Sequence, residues 1–554
     1  MSSTRHTTQQ IEDAMQVERE PIEPLRALSQ QILEEAERIV EGTGDKGKAR
    51  QRKLGRLTAR ERIDELIDSG TALLELNLWA ANGMYDRWGE VPAAGVVTGI
   101  GNIHHRPCMI IANDATVKAG AFFPQTVKKV LRAQNVAFRC RLPLVYLVDS
   151  AGVFLPLQDE IFPDDDDFGR IFRNNAVLSA AGIPQFAAIL GNCVAGGAYL
   201  PVLCDKILMT KGSALYLAGP SLVKAAIGQV VDEEELGGAI MHSEISGTVD
   251  FFEPDDLSCL QRTRSLVEAL PADAYQRDAA KKEMHTSRDP QDLYALVSPD
   301  GRKEYDARDV LECIVDAESV QEYKEYYGQS LVTCYAKIDG RSVGIVANQR
   351  KRTKSPKGGI QIGGVVYAES ADKAARFVMD CNQVGIPIVF LQDVTGFMVG
   401  RDAEQSGIIR SGAKLVNAIS NSRVPRITVI LGGAYGAGTY AMCGKAFDPH
   451  FVFAWPSARY AVMGGAQAAK TLVALEQRQA QRSGERLSDE QLTELTDRVV
   501  QKYEKQTDIR YGAARGWVDS IIAPHDTRRV LIDALSHATR TPPQAAFFGG
   551  VLQV

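Results

Sequence analysis

The spacing of apolar and polar positions changes along this chain. Residues 22–41, IEPLRALSQQILEEAERIVE, place apolar side chains at helical intervals, which predicts an amphipathic helix. A basic stretch, DKGKARQRKLGRLTARER (45–62), then leads into IDELIDSG, a further helical turn or two. Its charges read as a solvated face, with a site for an anionic ligand as the functional alternative. From about residue 90, short apolar, β-rich runs alternate with helical periodicity: CMIIAND, then TVKKVLRAQNVAFRC, then LPLVYLVDSAG. That alternation predicts an α/β fold built from βαβ units. The polar segment 271–300 holds a domain boundary.

The pattern then recurs. PLVYLVDSAG (143–152) matches PIVFLQDVTG (387–396), IIANDAT (110–116) matches IVANQRK (345–351), and LGNCVAGGAY (190–199) matches LGGAYGAGTY (431–440). The offsets are 244, 235 and 241 residues, in the same chain order, so the chain reads as a tandem duplication of one domain.

The third pair is chemically bare. GGAYGAGTYAMCG (432–444) has five glycines and three alanines in thirteen positions, with no acid, histidine or basic side chain. Glycine weakens a strand or helix by roughly 0.5–1 kcal/mol relative to alanine. Either something approaches the backbone closely here, or the stretch is a tight structural turn. Superposing the copies sets Ala195, Gly196 and Gly197 over Gly436, Ala437 and Gly438. Small residues that end a strand and open a helix leave N–H donors unpaired, with the helix dipole adding partial positive charge. Such a turn stabilises developing negative charge, as on a thioester enolate.

Composition narrows the class. At 554 residues the chain is long enough for two or more domains. Its net charge of −6 argues against general nucleic-acid binding. Nine single, widely spaced cysteines with no C-x-x-C pair argue against a zinc ribbon or a disulfide framework and fit a reducing cytoplasm. The first residues have no apolar core and carry acids, so neither a secretory signal nor a transit peptide is expected. Asn174–Cys204 holds no charge, but prolines and glycines break it into short runs, against a membrane span.

Four other motifs read as structural. GAQAAKT (465–471) has Ala469 where a phosphate loop needs glycine, so Lys470 reads as a surface lysine. His242 in GGAIMHSEISG is a candidate general base, more simply a structural histidine. The acids 164–167 read as solvated rather than metal-binding. GRSVG (340–344) has strands on both sides, so Ser342 belongs in a hairpin rather than a nucleophile elbow.

The strings QDEIFPDDDDFGRIF (158–172), GNCVAGGAYLP (191–201), AGPSLVKAAIG (218–228), LGGAIMHSEISG (236–247), TGFMVGRDAEQSGIIRSGAKLVNA (395–418), YGAGTYAMCGKAFDPHF (435–451) and WPSARYAVMGG (455–465) closely resemble carboxyltransferase β-subunits of biotin-dependent acyl-CoA carboxylases, nearest the methylcrotonyl-CoA and geranyl-CoA type. The resemblance implies two crotonase-like β-β-α superhelix domains after a tail (1–24): a CoA-side domain (25–290) and a biotin-side domain (291–554). It places one oxyanion hole at Gly196 and Gly197, with Ala198 beside it, for the acyl-CoA thioester. It places a second at Ala437 and Gly438, with Thr439, for the ureido oxygen of biotin. On this scheme biotin itself takes the substrate proton, so no side-chain base or metal is needed. With no biotinylation motif here, a partner α-subunit carries biotin and its carboxylase. The implied assembly is a cytoplasmic hexamer of two stacked trimers, with each site shared between the N-domain of one subunit and the C-domain of another. A basic segment (349–362) departs from the methylcrotonyl type, and 322–348 resembles glutaconyl-CoA decarboxylase. That leaves decarboxylation, or a propionyl or geranyl substrate, as alternatives.

Overall fold

A computed structural model describes residues 22–42, 44–271, 284–354, 359–464, 468, 471–474, 476–478 and 488–540. The chain divides into two compact units, one comprising 34–276 with 513–520, the other 1–33, 277–512 and 521–554. The helix expected at 22–41 is Ile22–Glu41.

Each unit is organised around an eight-stranded sheet. The first contains β1 (Leu74–Leu76), β2 (Val96–Ile103), β3 (Arg106–Asn113), β4 (Leu144–Ser150), β5 (Gln185–Val194), β6 (Lys206–Thr210), β7 (Ala214–Tyr216) and β8 (Phe251–Glu253). They run in the order β1-β2-β3-β4-β5-β6-β8, with β7 paired to β5. The second contains β9 (Gln321–Glu322), β10 (Leu331–Ile338), β11 (Arg341–Asn348), β12 (Ile388–Val394), β13 (Arg426–Tyr435), β14 (Phe451–Ala454), β15 (Arg459–Ala461) and β16 (Ser520–Ile521). Their order repeats the first sheet strand for strand: β9-β10-β11-β12-β13-β14-β16, with β15 paired to β13. The three matched strings end β3 and β11, β4 and β12, and β5 and β13. The duplication read from sequence is therefore a duplication of topology.

The central strands are buried on both faces, which is why β4 opens on the apolar run LVYLV and β12 on IVFL. In the first unit Val97, Ile110, Val145, Leu147, Ala188 and Leu208 pack with helix residues Ile63 and Leu260. In the second, Val346, Ile388, Phe390 and Val394 pack with Phe377, Leu415 and Ile419.

The antiparallel hairpins show the repeat at atomic detail. His104 and His105 turn β2 into β3 with positive φ, as Asp339 and Gly340 turn β10 into β11. The Asp68 carboxylate accepts the N–H groups of His104 (2.9 Å) and His105 (2.7 Å). The Asp316 carboxylate accepts those of Asp339 (3.0 Å) and Gly340 (2.7 Å). Arg264 pairs with Asp68 at 2.9 Å, and Arg528 with Asp316 at 2.6 Å.

The basic stretch corrects one expectation. It forms helices Asp45–Lys53 and Ala59–Leu66, and Arg62 is buried rather than solvated. Its guanidinium meets Asp256 at 2.8 Å, Asp149 at 3.2 Å and the Leu190 carbonyl at 3.0 Å, which together offset the cost of burying a cation.

Each long helix that follows the hairpin also buries a lysine. Lys129 Nζ donates to the Ala93 carbonyl at 3.0 Å, and Lys373 Nζ to the Leu331 carbonyl at 3.0 Å. Burial lowers the Lys129 pKa from 10.5 to about 7. The unfolded chain therefore binds a proton that the folded chain gives up between those values, so Lys129 makes stability rise with pH across that window. Lys129→Met should flatten this rise, read by denaturant unfolding at about pH 7 and pH 10.

Candidate active site

Each unit carries a candidate site at the end of a matched strand pair. Pairing of β4 with β5 shifts register between Val148 and Ser150, so Ser150 faces Cys193. Pairing of β12 with β13 shifts between Gln392 and Val394, so Val394 faces Ala434. A bulge at this place re-aims the side chain within it and increases local twist. Just beyond, the backbone turns sharply at Ala195 (φ +56°) and Gly436 (φ +53°). Left-handed backbone costs an alanine roughly 1 kcal/mol and a glycine almost nothing.

Each turn then opens helical backbone, at Ala195–Ala198 and at Gly436–Ala441. The first N–H groups of such a segment have no intrahelical carbonyl partner. The structure sets Gly196, Gly197 and Ala198 in the first turn and Ala437, Gly438 and Thr439 in the second. Both turns face a second glycine. A Cβ on Gly197 would lie 3.8 Å from the Gly152 Cα, and one on Gly438 would lie 3.1 Å from the Gly396 Cα and 2.6 Å from Val394 Cγ2. The absence of side chains thus has a steric cause at Gly438 and leaves spare room at Gly197.

Sequence reasoning missed the aromatic wall beside the first turn. A Cβ on Gly196 would touch the Phe168 ring at 3.6 Å. Phe168 packs edge-on against Phe122 (4.9 Å) and Phe172 (5.0 Å), and Phe172 continues to Tyr199 (6.4 Å). The spacing of Phe168 and Phe172 on the helix Phe168–Ala180 was the available signal.

It also missed the second unit's cleft of about 540 Å³, whose lining includes Tyr305, Arg350, Asp393, Gly432, Gly433 and Arg459. Asp393, inside the bulge, is buried. It accepts from Tyr305 Oη (2.9 Å) and the Gly433 N–H (2.7 Å), and pairs with Arg350 (3.3 Å). Burial first, and then the Asp393 charge, pushes the Tyr305 hydroxyl well above its ordinary pKa, so it remains a donor.

Three of the four competing motifs lie among the described residues. His242 Nδ1 meets Ser246 Oγ at 2.8 Å and Nε2 meets the Leu215 carbonyl at 2.6 Å, so both ring nitrogens are engaged by the protein. His242→Ala should lower turnover by far less than the roughly 10²–10⁴-fold of a lost general base, checked by steady-state kinetics on folded protein. Ser342 lies on β11, two residues past the hairpin turn. The acids at 164 and 167 accept N–H groups of their own loop. Most of GAQAAKT, with Lys470, lies outside the described residues. Among those residues no group of three or more His, Cys, Asp or Glu could hold a metal, and no helix is long and apolar enough to cross a membrane.

Two sheet-containing domains of repeated topology give the chain the crotonase-like carboxyltransferase fold. Residues 50–547 match the carboxyl transferase domain family. The methylcrotonoyl-CoA carboxylase beta chain, mitochondrial, of Arabidopsis thaliana is 42% identical over 95% of this chain and 88% of its own. The biotin-dependent 3-methylcrotonyl-coenzyme A carboxylase beta1 subunit of Mycobacterium tuberculosis is 44% identical over 92% and 93%. The crystal structure of the P. aeruginosa geranyl-CoA carboxylase beta subunit superposes with a TM-score of 0.80 at 33% identity, covering 96% of this chain and 95% of that one. The chain belongs to the carboxyl transferase family and is a biotin-dependent carboxyltransferase.

Proposed function

We propose that the chain moves a carboxyl group from carboxybiotin, carried on a partner α-subunit, to a branched enoyl-CoA such as 3-methylcrotonyl-CoA. The observation that carries this is the duplicated bare turn within a chain 42% and 44% identical to methylcrotonoyl-CoA carboxylase beta subunits. In the first unit the N–H groups of Gly196 and Gly197, with Ala198 beside them, hold the thioester oxygen as it gains negative charge. Phe168, Phe172 and Tyr199 give the acyl chain an apolar wall close by.

In the second unit Ala437 and Gly438 present the donors for the ureido oxygen of biotin. The residues fit that group: at 437 and 438 the largest side chain is a methyl, and Thr439 Oγ1 is buried without a partner among the described residues. Bound there, biotin supplies the carboxyl group and the atom that accepts the substrate proton. The chain's own part is to position two carbonyl oxygens and stabilise charge on both, which requires no side-chain base.

The test is carboxylation of a panel of acyl-CoA thioesters, with the purified biotin-bearing partner and with free biotin. Branched enoyl-CoA is expected to be the best acceptor, and no carboxyl transfer to any thioester would overturn the reading. The enzyme is proposed to work as an oligomer, a hexamer of two stacked trimers, in the cytoplasm. Exposed apolar side chains Leu222, Ile227, Val230 and Ile245 offer surface for another copy to cover. If each site draws its two turns from different copies, co-expressed Gly197→Val and Gly438→Val chains should recover activity in about a quarter of sites under random pairing. Zero recovery in verified mixed oligomers would rule out such sharing.

A further inference from the structure

We propose that Asp393 and Asp149 are positioning residues, each fixing one backbone turn through a hydrogen bond to the strand that leads into it. The proposal rests on the roles of the two turns given above.

The two carboxylates occupy equivalent places. Each lies inside the register shift at the end of its strand, and each is buried. Asp393 Oδ1 accepts the Gly433 N–H at 2.7 Å, and Asp149 accepts the Asn192 N–H. Gly433 and Asn192 are themselves equivalent, three residues before the left-handed residues Gly436 and Ala195. The residue before each is glycine for a reason of space. A Cβ on Gly432 would lie 2.6 Å from Asp393 Oδ1, and one on Gly191 would run into the Asp149 carboxyl. The strand end is thus pressed onto the carboxylate in both halves.

The cations that neutralise the pair have different origins. Arg62 reaches Asp149 from the helix Ala59–Leu66, whereas Arg350 reaches Asp393 from just beyond β11. In the matched strings the position of Arg350 is held by Ala115. A feature inherited passively from duplication would keep its cation in place. Here the carboxylate and its backbone bond are common to both halves, while the guanidinium has been supplied from two separate places. Neutralisation has a direct purpose, because an uncompensated anion near either turn would oppose the negative charge the turn must stabilise. Arg350 is itself anchored, donating to Thr395 Oγ1 (3.2 Å) and the Gly301 carbonyl (2.7 Å).

The test uses the full-length protein and two readouts for each half. In Asp393→Ala, amide hydrogen exchange over residues 431–440 should accelerate, and decarboxylation of free N-carboxybiotin without acyl-CoA should slow by about 10-fold or more. The acyl-CoA dissociation constant, measured by calorimetry, should stay within about twofold of wild type, because it reports the other turn. Asp149→Ala should do the reverse, accelerating exchange over 190–198 and weakening acyl-CoA while sparing carboxybiotin decarboxylation. Asp393→Asn and Asp149→Asn keep an acceptor oxygen for the backbone N–H and should recover most of each loss. They also serve where an alanine variant does not fold. Unchanged exchange, equal damage to both readouts, or an asparagine variant as impaired as alanine would overturn the assignment. A wild-type protein inert toward carboxybiotin would instead count against the functional reading, since hydrogen exchange tests the positioning bond by itself.

Discussion

On the proposed roles of the two turns, Gly438→Ala should lower carboxyl transfer by about 10²-fold or more, the scale for losing one oxyanion donor, whereas Gly197→Ala should stay within a few-fold of wild type. The contrast follows from what each methyl meets. At Gly438, itself buried, it falls 2.6 Å from the buried Val394 Cγ2 and 3.1 Å from the Gly396 Cα, so the turn itself must shift. At Gly197 the nearest atom is the Gly152 Cα at 3.8 Å, an ordinary van der Waals distance. Steady-state rates with free biotin, alongside thermal melts showing that both variants fold, read the difference. Equal losses at the two glycines would mean that the turns do not act through their backbone geometry.

Arg62→Met should destabilise the first unit by about 3–5 kcal/mol, the cost of breaking a buried ion pair. The loss is a large share of a domain's usual 5–15 kcal/mol. The variant leaves Asp149 and Asp256, with side chains 6% and 7% exposed, facing each other without the cation. Burial already raises the Asp149 pKa against the lowering effect of Arg62. Without the arginine it rises further, so the folded variant takes up a proton more readily than the unfolded chain does. Such a group loses stability as pH rises through its folded pKa. The deficit should therefore shrink on going from about pH 8 to about pH 5 in denaturant titrations. A deficit independent of pH would show that lost packing, rather than stranded charge, sets the cost.

Much of the fold was legible in the sequence because duplication wrote it twice. The strings at 143–152 and 387–396 both proved to be central strands, and the bare stretches both proved to be turns with a left-handed residue at the same place. Local pattern sufficed for these, since strand, turn and glycine signals act over a few residues. What supports the turns was not legible. Asp149 meets Arg62 across 87 residues, and Asp393 meets Tyr305 across 88. No periodicity marks either partner, and Arg62 even sat within a run that looked like solvated charge. Phe168 was in plain view within a familiar string, but its neighbour Gly196 comes from a different element.

The segment 513–520 sets an order on biosynthesis. It belongs with residues 34–276, although 236 residues separate 276 from 513. Asn77 N–H donates to the Asp519 carbonyl at 2.6 Å, Ala81 N–H to the Ala514 carbonyl at 2.9 Å, and Arg132 meets the Asp519 carboxylate at 2.6 Å. A ribosome that has released residue 276 has therefore not delivered everything its first-made unit requires. That unit must wait, incomplete, while almost the whole of its twin is translated. The domain whose sheet is translated first is among the last things finished, and a chain terminated early yields an unfinished half in place of a working one.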